Sequence, residues 1–316
     1  SEVETITAQS YYLLASAYFQ KTDYVRARTN MEEAIRLAEE EGYRPKENWY
    51  VLLAACFSEL KDKKIISAQF ALEQQVGIYE ILVNYYPKKM YFLQLGGTYQ
   101  QMDREEDYML TLKAAYEKDF LDKEGEYLAL AQMLLLKKNP YWAAQVLVAG
   151  QQKKVTITDE DTGEEEVVAV VKDKEKTLKL LADAWRMAQE IDKAIPVLEK
   201  AAKMSKDGDT YVLLGNLYLF EDRMEDSIRA IEAGLKKPKV KSRSQALLVL
   251  GQAHFELQNF EEAKKQFRAA ARDENKRIKK TANSWIKYAE NEEVRVKNLA
   301  LRRDFIQQSK AKSKNS

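Results

Sequence analysis

The sequence contains little of the material from which enzyme sites are usually built. It has one cysteine and one histidine in 316 residues, which excludes an internal disulfide and a zinc site made of several His and Cys ligands. No glycine-rich phosphate-binding loop follows a predicted strand. Basic and acidic residues nearly balance, at 51 and 50, and the formal charge of +1 gives no reason to expect a nucleic acid partner. No apolar run approaches the roughly 18 residues of a membrane-spanning helix. We therefore predict a non-enzymatic protein without cofactor, metal site or membrane-spanning segment.

Proline and glycine are also scarce, with 5 and 11 residues respectively. Alanine, leucine, glutamate and lysine are abundant, and this composition predicts an all-α protein. The chain is longer than the roughly 100 to 200 residues that one core usually serves, so it should form either two domains or a repeat array. Residue 1 is serine and the first residues form no apolar leader, from which we expect a processed or trimmed chain.

A repeated spacing decides in favour of the array. The segment from Asp207 to Pro238 has the pattern of two amphipathic helices joined by a polar turn. Its Leu214-Gly215 pair is followed by a bulky Tyr218, and a small residue, Ser227, comes thirteen positions after the leucine. Such pairs occur seven times, at Leu14-Ala15, Leu52-Leu53, Leu95-Gly96, Leu130-Ala131, Leu181-Ala182, Leu214-Gly215 and Leu250-Gly251. The spacing predicts seven helix-turn-helix units.

Several repeat positions carry specific expectations. Cys56 and His254 fall where other units have tyrosine, so we interpret both as structural residues. Gly215 is predicted to lie where a neighbouring element needs the space of a missing side chain. In the second and third units Gln75 and Tyr108 stand where alanine is expected, and we predict looser or differently angled packing there.

The pattern resembles the tetratricopeptide repeat. The stretch ALLVLGQAHFELQNFEEAKKQFRAAA, residues 246–271, matches the family's first helix and places Ala263, Phe267 and Ala270 in the second-helix positions. The resemblance implies a right-handed superhelical solenoid of about seven units, with first helices lining a concave wall. The residues that it assigns to this wall, as candidates for binding a peptide or helix of a partner, are Tyr12, Phe19, Tyr50, Phe57, Leu93, Gln100, Leu128, Gln132, Leu135, Lys179, Asp183, Arg186, Asn216, Leu219, Gln252 and Phe255.

Two segments interrupt or end the array. Residues from Val155 to Val171 are rich in β-branched side chains around Asp161-Thr162-Gly163, which predicts a two-stranded hairpin. This hairpin is either a surface insertion or a strand edge that a partner or a second copy could extend. Near the C-terminus, Trp285 lies on one face of an amphipathic helix predicted to cover the last repeat. The predicted domains are units one to four at 1–150, the hairpin at 151–174, units five to seven at 175–272, a capping helix at 273–294 and a basic tail at 295–316.

A narrower resemblance concerns three stretches. ENWYVLLAACFSEL at 47–60, the segment 181–218, and KKTANSWIKYAENEE at 279–293 are similar to repeat proteins that accompany the TonB, ExbB and ExbD energy-transduction machinery of Gram-negative bacteria. This resemblance implies a periplasmic scaffold in TonB-dependent iron uptake, with components of that complex as partners. The alternative is a cytoplasmic adaptor or regulatory module of a separate enzyme.

Overall fold

The computed structural model describes residues 7–158 and 162–314, and it divides at Lys137/Lys138 into two compact units. The first unit contains α1 (Ala8–Gln20), α2 (Tyr24–Glu40), α3 (Glu47–Asp62), α4 (Ala68–Tyr85), α5 (Lys89–Gln101), α6 (Glu105–Glu117) and α7 (Glu124–Leu136). The second contains α8 (Pro140–Gln152), β1 (Lys154–Thr158), β2 (Glu165–Ala169), α9 (Glu175–Met187), α10 (Ile191–Met204), α11 (Asp209–Phe220), α12 (Met224–Leu235), α13 (Arg243–Glu256), α14 (Phe260–Ala270) and α15 (Lys276–Lys314).

Within each unit the helices pack against their neighbours along the chain. Odd-numbered helices up to α13 carry the seven repeat pairs and are the predicted first helices. Even-numbered helices up to α14 are the second helices. The predicted all-α class, with its repeated helices, small hairpin and C-terminal helix, is confirmed. No helix of the described residues is both long and apolar enough to cross a bilayer. The structure gives the limits of the helices and strands, whereas the predicted limits of the domains stay predictions.

In three repeats the glycine of the pair makes room for a side chain of the second helix. A methyl group built on Gly215 would lie 2.5 Å from Ile231, and one built on Gly251 would lie 2.5 Å from the ring of Phe267. In the third repeat, a methyl group built on Gly96 would lie 3.1 Å from the side chain of Tyr108. The tyrosine that replaces the expected alanine is thus accommodated by a glycine on the facing helix.

In the second repeat, formed by α3 and α4, the predicted alanine position was wrong. Ala71, not Gln75, is the fourth residue of its second helix, a place that a small residue holds in five other repeats, and it is fully buried. The displacement follows from an insertion: the residue with positive φ in the turn is Lys64, twelve positions after the leucine, whereas six other units have it eight positions after. Gln75 is also buried, one turn later, and its Nε2 donates to the carbonyl of Ala54 at 3.3 Å.

The predicted hairpin is present in the second unit. Its strands β1 and β2 are antiparallel, with Val155 opposite Val168. Gly163 has a φ of +71° in the turn, whereas Asp161 lies outside the described residues. Val170 and Val171, which follow β2, are buried, and their amides donate to carbonyls at the end of α8. The hairpin is therefore attached to α8 at its base.

The C-terminal helix packs as predicted but is longer. Ala282 and Ala289 are fully buried in a cluster with α14, and Trp285 stacks on Phe267 with the ring centroids 5.5 Å apart. The helix continues without interruption to Lys314, so the predicted boundary between a capping helix and a basic tail at residue 295 is not a boundary of secondary structure. Helix-forming residues from Arg295 onward, with no proline or glycine among them, explain the continuation.

Candidate functional site

In the first unit, the predicted wall residues fall into exposed and packed groups. Gln100 and Gln132 are exposed, and Leu93 is 36% exposed. Phe19, Leu128 and Leu135 are half-buried. Tyr12 is also half-buried: its ring stacks on Trp49, with centroids 5.4 Å apart, and its hydroxyl accepts a hydrogen bond from Asn48 at 2.8 Å. The exposed members offer amide and aliphatic contacts rather than charge.

Three predicted wall residues are instead part of the core. Tyr50 and Phe57 are 4% and 2% exposed, within a cluster to which α1 to α5 contribute. Burial raises the pKa of Tyr50 to about 12. Phe255 is 9% exposed because α15 covers it, with Trp285 and Tyr288 against its ring. Assigning these three residues to a partner-binding surface was wrong, since the neighbouring helices already occupy their faces.

The charged group predicted in the second unit is largely neutralised within its own helix. Lys179 Nζ donates to Glu175 at 2.9 Å, and Arg186 lies 3.3 Å from Asp183. The hydrogen bond from Lys179 is the main reason that the pKa of Glu175 is lowered. Asn216, farther along the unit, donates to the carbonyl of Val212 on its own helix at 2.8 Å. These groups therefore offer less to a charged ligand than their sequence suggests.

Leu219 and Gln252 are half-buried in the same unit, and Leu219 packs beside the cluster of Ile231 and Leu250. The neighbouring side chain, Phe220, is 70% exposed.

The sequence prediction stopped one position short on three first helices. Leu136, Met187 and Phe220 are 81%, 46% and 70% exposed, and each follows a predicted wall residue directly. All three stand six positions after the leucine of their unit. An apolar residue shared by three units at one offset, outside the packing positions, was the available signal. The exposed part of the first helices is therefore more apolar than predicted.

A recurring polar cluster joins successive helices in both units. In the first unit, Tyr99 on α5 donates to Glu80 on α4 at 2.6 Å, and the guanidinium of Arg104 lies 4.6 Å from the Tyr99 ring centroid. In the second unit, Tyr218 on α11 donates to Glu199 on α10 in the same way. Burial, and then the hydrogen bond to glutamate, raise the pKa of both tyrosines. Sequence analysis identified the tyrosines but not their partners, which lie on the preceding helix.

We expect Tyr218→Phe to lower the free energy of unfolding by about 1 to 2 kcal/mol, because the buried tyrosine donates a hydrogen bond to the carboxylate of Glu199. Glu199→Gln should cost less, since an amide oxygen still accepts. Chemical denaturation of both single variants and of the double variant measures the coupling. Strictly additive losses would contradict a direct interaction between the two side chains.

His254 occupies the tyrosine position of the seventh unit. Its Nδ1 atom is buried and has no hydrogen-bond partner among the described residues. Burial lowers the pKa of its imidazole, although Glu262 and Glu232 act in the opposite direction. The other singular residue, Cys56, is fully buried, and burial raises its pKa to about 12, so its thiolate is not formed at neutral pH.

The His254 environment predicts a pH effect on stability. A histidine with a lowered pKa in the folded state binds protons more readily when unfolded, so stability is retained above the unfolded pKa of about 6.5 and lost as pH falls through the folded value. We expect less than about 1 kcal/mol, because the ring is only partly buried. His254→Phe should reduce the difference in denaturation midpoint between pH 7.5 and pH 5. An unchanged difference would contradict this environment.

The hairpin forms one wall of an open depression in the second compact unit. This depression, of about 670 Å³, lies between β2 and α10 and is lined on the α10 side by Pro196, Val197 and Lys200. Val167 on β2 is 67% exposed, and Ile157 on β1 is 42% exposed. The hairpin therefore presents apolar side chains to solvent beside an open groove.

Among the described residues, no group of three or more His, Cys, Asp or Glu side chains is arranged to hold a metal ion. What the chain offers instead is extended surface, on the first helices, at the hairpin and along α15.

Comparison with known proteins bears on the repeats. Residues 8–41 and residues 212–276 each match a family model described as tetratricopeptide repeat. No curated protein matches the sequence. Among solved structures, the crystal structure of MamA aligns at 18% identity over 60% of this chain and 94% of its own, with a TM-score of 0.46. YrrB, described as a tetratricopeptide repeat protein with an unusual peptide-binding site, aligns at 12% identity over 65% of this chain and 96% of its own, with a TM-score of 0.48.

A structure of Naa15/Naa10 bound to HypK-THB aligns at 11% identity with a TM-score of 0.54. The alignment covers 90% of this chain and 39% of the other chain. At this identity the likeness concerns the fold alone. The two family matches agree with the helix pairs and the packing positions described above. The chain therefore contains tetratricopeptide repeats.

Proposed function

We propose that the chain is a protein-interaction scaffold without catalytic activity of its own, which holds a peptide or helix of a partner protein on the faces of its first helices. The observation that carries the proposal is the division of labour along these helices. Positions shared between units, such as Gly215 and Tyr218, serve packing, whereas the positions that differ, such as Gln132 and Phe220, are exposed. Mixed aliphatic, aromatic and amide side chains are typical of surfaces that bind peptides.

The test compares partner recovery by surface variants. We expect Phe220→Ser combined with Met187→Ser to reduce by at least tenfold the amount of a partner co-purified with the full chain from its own cells. The matched control replaces Glu225, which is exposed on the second helix α12, by serine. Equal recovery by both variants and the parent, with every variant folded, contradicts the proposal.

We further propose that the cellular setting is the periplasm, with components of a TonB, ExbB and ExbD complex as partners. The support is the sequence resemblance of residues 47–60, 181–218 and 279–293. Cell fractionation of the natural protein and crosslinking to ExbB, ExbD and TonB form the test. Recovery in the cytoplasmic fraction contradicts this setting and leaves the scaffold proposal intact.

The hairpin is proposed as a contact between two copies of the chain. Supporting this are the exposure of Val167 and Ile157, and the tendency of an uncovered strand edge to pair with another strand. Sedimentation of the parent should show a dimer, which a Gly-Ser replacement of residues 154–169 abolishes. A monomeric parent at the same concentration rules the contact out.

A further inference from the structure

The first half of α15 carries positive charge that no ion pair among the described residues neutralises. From Lys276 to Ala289 the sequence has five cations and no carboxylate. The ion pairs of α15 within the described residues involve only Glu290 and residues after it. The exposed lysines of this segment and the two aromatic residues beside them form what we call the basic-aromatic surface. Its members are Lys276, Lys279, Lys280, Lys287, Trp285 and Tyr288.

The lysines repel one another in the isolated chain. Lys276 and Lys280 are four positions apart, so they are neighbours on the helix surface, where like charges are unfavourable. They also lie in the first turns, where the helix dipole disfavours cations. The helix end is already capped, since Asn275 Oδ1 accepts from the amide of Arg277 at 3.0 Å. The anion-attracting feature is therefore the row of side chains and not the free amides of a helix start.

Aromatic side chains border this row. Tyr288 is 53% exposed, and its ring centroid lies 5.1 Å from that of buried Phe255. Trp285 is held in place by stacking on Phe267. Together with Lys280, Trp285 and Tyr288 line an open depression of about 390 Å³. A second depression, of about 380 Å³ and lined mainly by the lysines, adjoins it through Lys280. An apolar foothold thus lies directly beside the charge.

We propose that the basic-aromatic surface binds a short acidic segment of a partner protein, with carboxylates on the lysines and one apolar side chain against Trp285 and Tyr288. The inference rests on the proposed scaffold function and adds to it a place and a partner chemistry. Charge complementarity selects the occupant, because the whole chain has a formal charge of only +1 while this segment carries five cations and no acid.

The extent of the surface favours a peptide over a long polyanion. From Lys276 to Lys287 the helix rises about 17 Å, at 1.5 Å per residue. Glu290, Glu292 and Glu293 follow on the same helix, where each is in an ion pair, and they end the stretch that has cations and no carboxylate. A segment of about five extended residues spans this distance.

The experiment measures binding of defined probes to the full chain by fluorescence anisotropy at low salt. The probe is a labelled peptide of six Asp and Glu residues around a central Phe; its amide counterpart has Asn and Gln in their place. We expect the acidic peptide to bind and the amide peptide to bind at least tenfold more weakly. Raising the ionic strength should weaken the acidic peptide, since exposed charges are screened.

Variants locate the site. Lys276→Gln, Lys280→Gln and Lys287→Gln combined should weaken acidic-peptide binding at least tenfold. A matched control removes three exposed lysines elsewhere in the same unit, through Lys203→Gln, Lys206→Gln and Lys239→Gln, and should leave binding within twofold. Tyr288→Ala should weaken binding of the Phe-containing peptide more than binding of a peptide with alanine at its centre. Circular dichroism confirms that each variant is folded.

Two outcomes overturn the proposal. One is that both triple lysine variants weaken acidic-peptide binding equally, or that neither variant weakens it. Such a result indicates non-specific attraction or another site. The other is lysine-dependent binding of a 16-base-pair DNA duplex or of vesicles with 30% anionic lipid when the acidic peptide does not bind. Either outcome leaves the Phe220 and Met187 variants as an independent test of the scaffold, so the two failures are distinguishable.

Discussion

Replacing Gly208 by alanine is expected to lower the free energy of unfolding by about 3 kcal/mol, at the upper end for overpacking. Gly208 precedes α11, and its amide donates to the carbonyl of Lys239 at 2.7 Å. A methyl group at this position would lie 2.2 Å from the carbonyl oxygen of Gly234 and 2.7 Å from Val240. The obstacle at Gly234 is backbone, so no side-chain rotation relieves it. Chemical denaturation of the full chain measures the loss.

Gly77 provides the matched control. It lies within α4, and a methyl group there meets nothing within 4 Å. Gly77→Ala should therefore raise stability by about 0.5 to 1 kcal/mol, because alanine restricts the unfolded chain more than glycine does. If Gly208→Ala proves as harmless as Gly77→Ala, the close approach between the start of α11 and the end of α12 is wrong.

Ala194→Trp is expected to have a comparable effect, a loss of about 2 to 3 kcal/mol. Ala194 is fully buried at the fourth position of α10, the equivalent of Ser227 in the next unit. There the two helices touch, since Ser227 Oγ donates to the carbonyl of Gly215 at 2.7 Å. An indole in this position must separate α10 from α9 or force both into strained rotamers. Thermal unfolding of the full chain measures the cost.

Lys203→Trp introduces the same side chain on an exposed face of the same helix. It should change stability by no more than about 0.5 kcal/mol. Equal melting temperatures for the Ala194 and Lys203 variants would show that the assigned register of the repeats is incorrect. Because each repeat contacts mainly its neighbours, a local separation of helices should be felt chiefly within the second unit.

The repeated packing was accessible from sequence because each helix pair solves the same steric problem. A glycine or alanine after the leucine leaves room for the facing helix, and the room is visible at Gly215 and Gly251. Ala71 shows where this reasoning failed. An insertion moved the turn to Lys64, so the count of thirteen from Leu52 no longer applies, and the alanine position was assigned to Gln75, one turn beyond Ala71. Only the helix boundaries reveal that alanine still fills the position.

The surface was less accessible, since exposure depends on neighbours that a repeat pattern does not specify. Phe255 shares its offset with half-buried Leu219, but α15 lies over Phe255. Tyr50 is buried because side chains from several helices converge on it. By contrast, Phe220 remains exposed, and its apolar side chain could be identified from the sequence alone. The length of α15 was missed because a basic composition was interpreted as the mark of a tail.

Shape and specificity therefore lie at different positions of the same helices. Tyr218 and Gly215 hold α11 in place through Glu199 and Ile231, and their equivalents recur in other units. Phe220, two positions after Tyr218, is 70% exposed and does not serve this packing. Substitutions at the first kind of position should change stability, and substitutions at the second kind should change partner binding with stability preserved.

Photo-crosslinking from single positions of the full chain in its own cells tests most directly whether the first helices bind the partner. A photoreactive amino acid is placed at Gln132 or Phe220, on first helices, and at Glu225, on a second helix; all three are exposed. We predict crosslinks to a partner protein from at least one first-helix position and none to that protein from Glu225. Crosslinks to the same protein from Glu225 alone, or from all three positions equally, would contradict the assignment of the first helices as the binding surface.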